Sequence, residues 1–201
     1  MSNTLKIVAI LFLGSRLALA SGRTTPGRAI GIGAEAPGFS LVGTDGKTYD
    51  LKNELKTADA AAVVFVATKC PYSNAYNERY NEFAASIRKF APKRVAFFAI
   101  NSNVTEPLDE IKKHASDHKF TFAVLKDEGS KIADSFGAER TPEAFLIDKQ
   151  GKVLYHGRVD DDSEGTAVKR KDLFLAAEEH LSGKKISTAE TKAFGCSIKR
   201  K

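Results

Sequence analysis

The chain has 201 residues, of which 42% are hydrophobic and 28% are charged, a composition typical of one soluble globular domain. Its formal net charge of +6 comes from the N-terminal segment and a lysine-rich tail, so the stretch between them is close to neutral and a basic nucleic-acid-binding face is not expected. The two cysteines, Cys70 and Cys196, allow one disulfide at most.

Residues 1–20 predict a secretory signal peptide. Lys6 precedes an apolar stretch that is too short to span a bilayer, and Ala18-Leu19-Ala20 is a small-x-small cleavage site. We therefore expect export, to a bacterial periplasm or as a secreted protein. No later segment has the length and apolarity of a transmembrane span.

Composition divides the remainder into three parts. Residues 21–33 are rich in Gly, Thr, Arg and Pro and predict a flexible lead-in. Residues 34–183 carry the periodic segments of one domain. Residues 184–201 form a basic tail that contains Cys196, and such a terminus is expected to be solvated.

In the first half of the domain, two short strands around Asp45-Gly46 predict a hairpin. The apolar run at residues 61–67 predicts a strand covered on both faces. From Tyr72 to Phe90, apolar residues at steps of three and four predict one amphipathic helix of about five turns. Residues 94–100 predict a second buried strand, and Thr105 and Pro107 open a helix that runs through His114.

The second half begins with a short strand at residues 122–125 and a short helix at 132–136. Residues 144–148 and 152–156 predict an antiparallel hairpin, and a final helix spans about 168–181. The order β–α–β–α–β followed by β–β–α predicts an α/β fold with a mixed central sheet and helices on both faces.

Cys70-Pro71-Tyr72-Ser73 stands where a buried strand gives way to a helix. Pro71 suits the first helical position, and the helix N-terminus presents N–H groups and a positive dipole end to the sulfur, which favours the thiolate. The pattern predicts a reactive thiol in preference to a buried structural cysteine. Ser73 stands where a dithiol motif has its second cysteine, so Cys-X-X-Cys exchange is excluded.

The order of these motifs resembles the thioredoxin fold and, more closely, the exported redoxin branch of the alkyl hydroperoxide reductase and thiol-specific antioxidant (AhpC/TSA) superfamily. The matching stretches are residues 36–39 with the hairpin at 45–46, 68–71, 101–103, 139–143, 157–161 and 192–196. Together they cover nearly the whole chain after the signal segment.

The resemblance implies that Pro142 is a cis-proline beside the thiol and that the backbone of Thr141 pairs with an extended substrate chain. Arg140 and, less strongly, Lys69 are expected to place positive charge near the sulfur and lower its pKa.

Substrate contacts are expected from Thr68, Pro71 and Tyr72. Peroxiredoxins carry Thr and Pro where this chain has Ala67 and Val63, which leaves Thr68 as the nearest hydroxyl and weighs against high peroxidase activity.

We therefore expect an exported thiol-based oxidoreductase that needs no cofactor. The Cys70 thiolate would perform thiol–disulfide exchange with a partner protein or reduce a peroxide, Cys196 would resolve the product, and an external thiol would restore the reduced form.

Two alternatives stay open: a copper-binding chaperone that uses both cysteines or a histidine, and a non-catalytic binding module stapled by a permanent disulfide. His114 and His118 have metal-ligand spacing, but they are better explained as an exposed helix end, and the acidic run at residues 160–162 as a solvated loop.

Overall fold

The computed structural model describes residues 29–200. The strands are β1 (Ser40–Val42), β2 (Thr48–Asp50), β3 (Ala60–Val66), β4 (Val95–Asn101), β5 (Val124–Lys126), β6 (Arg140–Thr141), β7 (Glu143–Asp148), β8 (Val153–Gly157) and β9 (Cys196–Ser197). The helices are α1 (Leu51–Glu54), α2 (Pro71–Asn74), α3 (Asn77–Ser86), α4 (Leu108–Asp117), α5 (Lys131–Phe136) and α6 (Asp172–Leu181).

A five-stranded sheet with the order β5-β4-β3-β7-β8 forms the centre of the fold. β3 pairs in parallel with β4, which pairs in parallel with β5, whereas β7 runs antiparallel to both β3 and β8. Every residue of β3 is buried, because its continuous apolar run is covered on both sides. The predicted mixed sheet is therefore confirmed.

Side chains alternate between the two faces of β3 and enter two separate clusters. Ala62 and Val64 pack with α3, α4 and α6, whereas Val63 and Phe65 pack with α1, α5 and the segment before β1. Helices therefore cover both faces of the sheet, as the element order predicts. The carboxyl ends of β3 and β4 point to one edge, where Cys70 follows β3.

The helix predicted from Tyr72 to Phe90 is interrupted. α2 ends at Asn74, α3 begins at Asn77, and a 3₁₀ turn covers Ile87–Phe90. The N–H of Tyr76 bonds to the carbonyl of Ser73, a tighter turn than in an α-helix, while the buried Tyr76 hydroxyl donates to Asp160 at 3.0 Å. Tertiary contacts of Tyr76 thus override the helical periodicity.

The last helix begins at Asp172, later than predicted. The carboxylate of Asp161 accepts the backbone N–H groups of Lys169 and Arg170, at 2.9 and 3.0 Å, which holds this stretch as a loop. None of the helices within residues 29–200 is long and apolar enough to cross a membrane.

Both ends of the described chain pack on the domain, contrary to the expected solvated tail and, for residues 29–33, to the expected flexible lead-in, whose residues 21–28 lie outside the described part of the chain. Ile30 is buried and its N–H bonds to Phe136, and Gly33 bonds to Val153. In the tail, Ile198 is buried, so the apolar residues of this basic segment anchor it to the domain. The predicted signal peptide lies outside the described residues.

Candidate active site

Cys70 caps the N-terminus of α2. Its sulfur accepts the backbone N–H of Ser73 at 3.4 Å, and the neutral thiol donates to the carbonyl oxygen of Thr141 at 3.3 Å. Pro71 occupies the first turn, where its missing N–H costs no helical hydrogen bond. The side chain is only 3% exposed, so the thiol is sheltered between the helix start and β6.

Thr141 and Pro142 form the opposite wall of the site. The peptide bond between them is cis, as the resemblance implied. β6 pairs antiparallel with β9, with Thr141 opposite Cys196 and Arg140 opposite Ser197. This pairing brings the second cysteine of the chain to the first, although 126 positions separate them in sequence.

The two thiols have opposite acidities. Burial by itself raises the pKa of Cys70, but hydrogen bonds from the Cys196 thiol and from the Ser73 N–H outweigh it and bring the pKa below its ordinary value. Burial raises the pKa of Cys196, and the hydrogen bond it gives to Cys70 raises it further. Cys70 is therefore the more readily deprotonated thiol of the pair.

The loop before Cys70 is held by a buried carboxylate, Glu106. It accepts the backbone N–H groups of Thr68 and Lys69 at 2.7 and 3.1 Å, and the side-chain amides of Asn101 and Asn103 at 2.6 and 2.8 Å. Burial raises its pKa, but these donors outweigh that effect and lower it below the ordinary value. Four neutral donors thus compensate a buried charge and fix the loop that carries the thiol.

A second buried carboxylate, Glu143, holds the turn before the cis-proline. One oxygen accepts the N–H groups of Glu139 and Arg140, both at 2.8 Å, and the other contacts His156 at 2.7 Å. The His156 ring also stacks on Phe145, with 4.5 Å between centroids. His156 of β8 therefore belongs to the scaffold of this wall.

Ser73 has a structural role behind the thiol. Its side chain is fully buried, its hydroxyl oxygen accepts the N–H of Ala67 at 3.0 Å, and it lies 3.3 Å from the hydroxyl of Tyr80. In a dithiol motif this position holds the second thiol. In this chain it holds a serine, whose hydroxyl links the residue after β3 to α3.

Several predicted site residues make contacts other than those expected. Lys69 pairs with Glu110, with 2.8 Å between Nζ and the carboxylate, and the Thr68 hydroxyl lies 3.4 Å from the same carboxylate. Arg140 donates to the carbonyl of Gly195 at 3.1 Å, so it holds the tail. Tyr72 is 48% exposed beside the thiol and is available to a partner.

The weaker metal candidates do not assemble a site. The rings of His114 and His118 lie with 4.4 Å between their centroids and a tilt of 47° between their planes, and His114 contacts Asn77. Asp160, expected in a solvated loop, is instead buried and bound by Arg79 at 2.7 Å. Across residues 29–200, no group of three or more His, Cys, Asp or Glu side chains is placed to share a metal ion.

Sequence reasoning missed Glu106 and Glu143. Each is an isolated acid beside a turn, and in the sequence such a residue looks the same as a solvated surface charge. Glu143 binds backbone N–H groups three and four residues away, whereas Glu106 binds groups 37 and 38 residues away, so no shared local signal marks the two residues.

Comparison with known proteins agrees with this geometry. A model of the AhpC/TSA family matches residues 32–156. The thiol-disulfide oxidoreductase ResA of Bacillus thuringiensis strain Al Hakam is 32% identical over 130 residues, which is 61% of this chain and 67% of the relative.

Solved structures give the same fold. A hypothetical protein from Sinorhizobium meliloti 1021 superposes with a TM-score of 0.78 at 30% identity, covering 87% of this chain and 97% of that one. The thioredoxin domain of a thiol-disulfide oxidoreductase from Bacteroides vulgatus superposes with a TM-score of 0.58 at 14% identity, covering 76% and 99%, which is a likeness of fold alone. The predicted thioredoxin-like fold is confirmed.

Proposed function

The chain belongs to the AhpC/TSA family and is a thiol-based oxidoreductase with a thioredoxin-like fold, and we propose that it is exported and performs thiol–disulfide exchange through Cys70, with Cys196 as the resolving thiol. The observation that carries this proposal is the pairing of β9 with β6, which sets Cys196 opposite Thr141, the residue whose carbonyl oxygen lies 3.3 Å from the Cys70 sulfur. It supports direct exchange between the two sulfurs.

In the first step, the Cys70 thiolate attacks one sulfur of a partner disulfide. The partner's S–S bond breaks, its other sulfur leaves as a thiolate and takes a proton from water, and Cys70 is held in a mixed disulfide. The N–H of Ser73 and the start of α2 stabilise negative charge on the Cys70 sulfur, so they assist this step and also make Cys70 a good leaving group later.

In the second step, Cys196 loses its proton and attacks the Cys70 sulfur. The bond to the partner breaks, the partner leaves with its second thiol, and a Cys70–Cys196 disulfide remains. Two electrons have passed from the protein to the partner. An external dithiol restores the reduced pair and becomes a disulfide itself.

Disulfide exchange fits the site better than peroxide reduction. Thr68, the nearest substitute for the missing peroxidase threonine, has its hydroxyl beside Glu110, and Lys69 beside it is paired with the same carboxylate. The Thr68 hydroxyl is thus directed toward Glu110 and away from the position in which it would donate to a peroxide oxygen at Cys70.

Stoichiometry with a chromogenic aromatic disulfide tests the two-thiol mechanism. The reduced wild type is expected to release about two aromatic thiols per chain, the second on resolution, whereas Cys196→Ser releases about one and retains the label. Cys70→Ser should react slowly, because the remaining thiol has a raised pKa. Release of a single thiol by the wild type, with the label retained on Cys70, would refute the resolving role of Cys196.

Export rests on the signal-peptide pattern of residues 1–20 and is tested separately. Expression of the full chain in a bacterium should yield an extracytoplasmic protein whose N-terminal sequence begins at Ser21 and whose mass matches that of residues 21–201. An unprocessed chain recovered in the cytoplasm would refute this part of the proposal and leave the chemistry of Cys70 unaffected.

A further inference from the structure

The tail of this chain runs as a strand along the wall of its own active site. Between β9 and β6, Cys196 lies opposite Thr141, and the N–H of Ile198 bonds to the carbonyl of Glu139 at 2.9 Å. Gly195 lies so close to the wall that a Cβ added there would be 2.1 Å from the Thr141 oxygen. The tail thus shows how an extended chain brings a cysteine sulfur to Cys70.

The span that contains β9 is fastened at both ends. Before it, the hydroxyl of Thr191 lies 2.6 Å from that of Tyr155. After it, the N–H of Lys199 bonds to Asn103 at 2.7 Å, and the carbonyl of Lys199 accepts the N–H of Val104 at 2.9 Å. The pairing between these anchors covers two residues of each strand, so this span is the part of the tail that most readily lifts while the ends stay bound.

An extended segment of another protein needs a free strand edge to place its own sulfur next to Cys70, since main-chain hydrogen bonds supply the affinity in strand addition. Thr141 is the residue whose carbonyl touches the Cys70 sulfur, and its edge is already occupied by β9. A small disulfide needs no such edge. The two classes of substrate therefore meet different obstacles at this site.

We propose that residues 192–198 are a specificity element that competes with extended, cysteine-bearing segments of other proteins for the β6 edge, so that the docked tail hinders protein strands more than it hinders small disulfides. This inference rests on the proposed function, because it assumes that Cys70 attacks disulfides. A protein substrate gains access only in the fraction of molecules whose tail is lifted, which lowers its apparent affinity by that fraction.

Gly195→Ala tests the proposal, because its methyl group clashes with the Thr141 carbonyl and lifts β9 without substituting Cys70, Ser73 or Thr141. The matched control is Gly183→Ala, also at a positive φ but with open space around the added Cβ. All comparisons are made with Cys196→Ser in the background, so that only the attack of Cys70 is measured and the resolving thiol contributes nothing.

The readout is the ratio of two second-order rate constants for Cys70, one with a ten-residue peptide held in a mixed disulfide with an aromatic thiol and one with hydroxyethyl disulfide. Both rates depend equally on the thiolate fraction, so the ratio reports access alone. Gly195→Ala is expected to raise the ratio by about tenfold or more, and Gly183→Ala to leave it within about twofold.

An unchanged ratio in Gly195→Ala would overturn the proposal, provided that hydrogen exchange of the Ile198 amide shows a released strand. If the Ile198 amide stays protected in Gly195→Ala, the strand is removed outright by deleting residues 193–201. The ratio of the two rate constants is then measured in the deletion variant, and an unchanged ratio there overturns the proposal. Failure of the proposed function looks different: Cys70 of the Cys196→Ser protein would then react with hydroxyethyl disulfide no faster than an unactivated thiol, in all tail variants alike.

Discussion

Cys70 and Cys196 lie on two walls of one site, and the two walls are held in different ways. The wall of Cys70 follows a fully buried strand and is fixed by Glu106, whose carboxylate accepts four N–H groups. The wall of Cys196 is a tail strand with two paired residues, closed over β6 by Arg140 and Ile198.

The difference separates acidity from mobility. The more acidic thiol belongs to the fixed wall, where the Ser73 N–H at the start of α2 stays in place, and the Cys196 thiol adds a second hydrogen bond from the tail. Mobility belongs to the tail, because a resolving sulfur has to move toward a mixed disulfide and a protein substrate has to enter. In the proposed mechanism, one rigid and one movable thiol divide the work that a local dithiol motif performs within one helical turn.

The largest effect is expected from loosening the fixed wall with Glu106→Gln. The substitution keeps the shape but turns an NH₂ group toward buried donors, and it should lower the free energy of unfolding at pH 7 by about 2–4 kcal/mol. Urea unfolding measures the loss. Glu110→Gln, which alters a half-exposed carboxylate in the same region, is the matched control and should change stability little.

The loss of stability caused by Glu106→Gln should become smaller as the pH falls. Because the folded-state pKa of Glu106 lies below its ordinary value of 4.5, the carboxylate stabilises the fold fully above pH 4.5, and this contribution disappears as the pH falls through the folded-state pKa. The stability gap between wild type and Glu106→Gln should therefore narrow in acid. A gap that stays constant below pH 4.5 would show that the hydrogen-bonded charge is not its cause.

Much of the fixed wall is predictable from the sequence. The apolar run of β3, the proline after Cys70 and the following helix pattern are local features, and local features place the thiol at a helix start. The interruption at Tyr76 is not predictable in this way, because it depends on Asp160, which is distant in sequence.

The movable wall is much less predictable. In the sequence, the tail looks like a solvated basic terminus, since its few apolar residues show no strand or helix period. Its docking depends on a long-range pairing with β6, on the absence of a Cβ at Gly195 and on the burial of Ile198. Only the three-dimensional structure shows these contacts together.

A smaller effect is expected from cutting the link between the walls with Cys196→Ala. The Cys70 thiolate then loses a hydrogen-bond donor, so its pKa should rise and its alkylation rate at pH 7 should fall by about three- to tenfold. The pH dependence of iodoacetamide alkylation, followed by peptide mass, measures both. Cys196→Ser keeps a hydroxyl donor and should lie between the wild type and Cys196→Ala; equal midpoints in the wild type and Cys196→Ala would contradict the assigned donor.

Weakening the tail alone should have a still smaller effect. Arg140→Ala removes the bond to the Gly195 carbonyl and should destabilise tail docking by about 0.5–1 kcal/mol. Hydrogen exchange at the Ile198 amide is then expected to accelerate by about two- to fivefold, while amides of β3 stay unchanged. The control is Arg88→Ala, because Arg88 is exposed and lies far from the tail in sequence. Faster exchange in β3 as well would mean that Arg140 supports the whole domain.

The smallest effect is expected from Lys69→Ala, although Lys69 is the cationic side chain next to Cys70 in sequence. Its ammonium group is paired with Glu110 at 2.8 Å and more than half exposed, so its charge is compensated and screened by water. The alkylation midpoint of Cys70 should therefore move less in Lys69→Ala than in Cys196→Ala. An equal shift in the two variants would mean that a nearby cation, and not hydrogen bonds across the two walls, stabilises the thiolate.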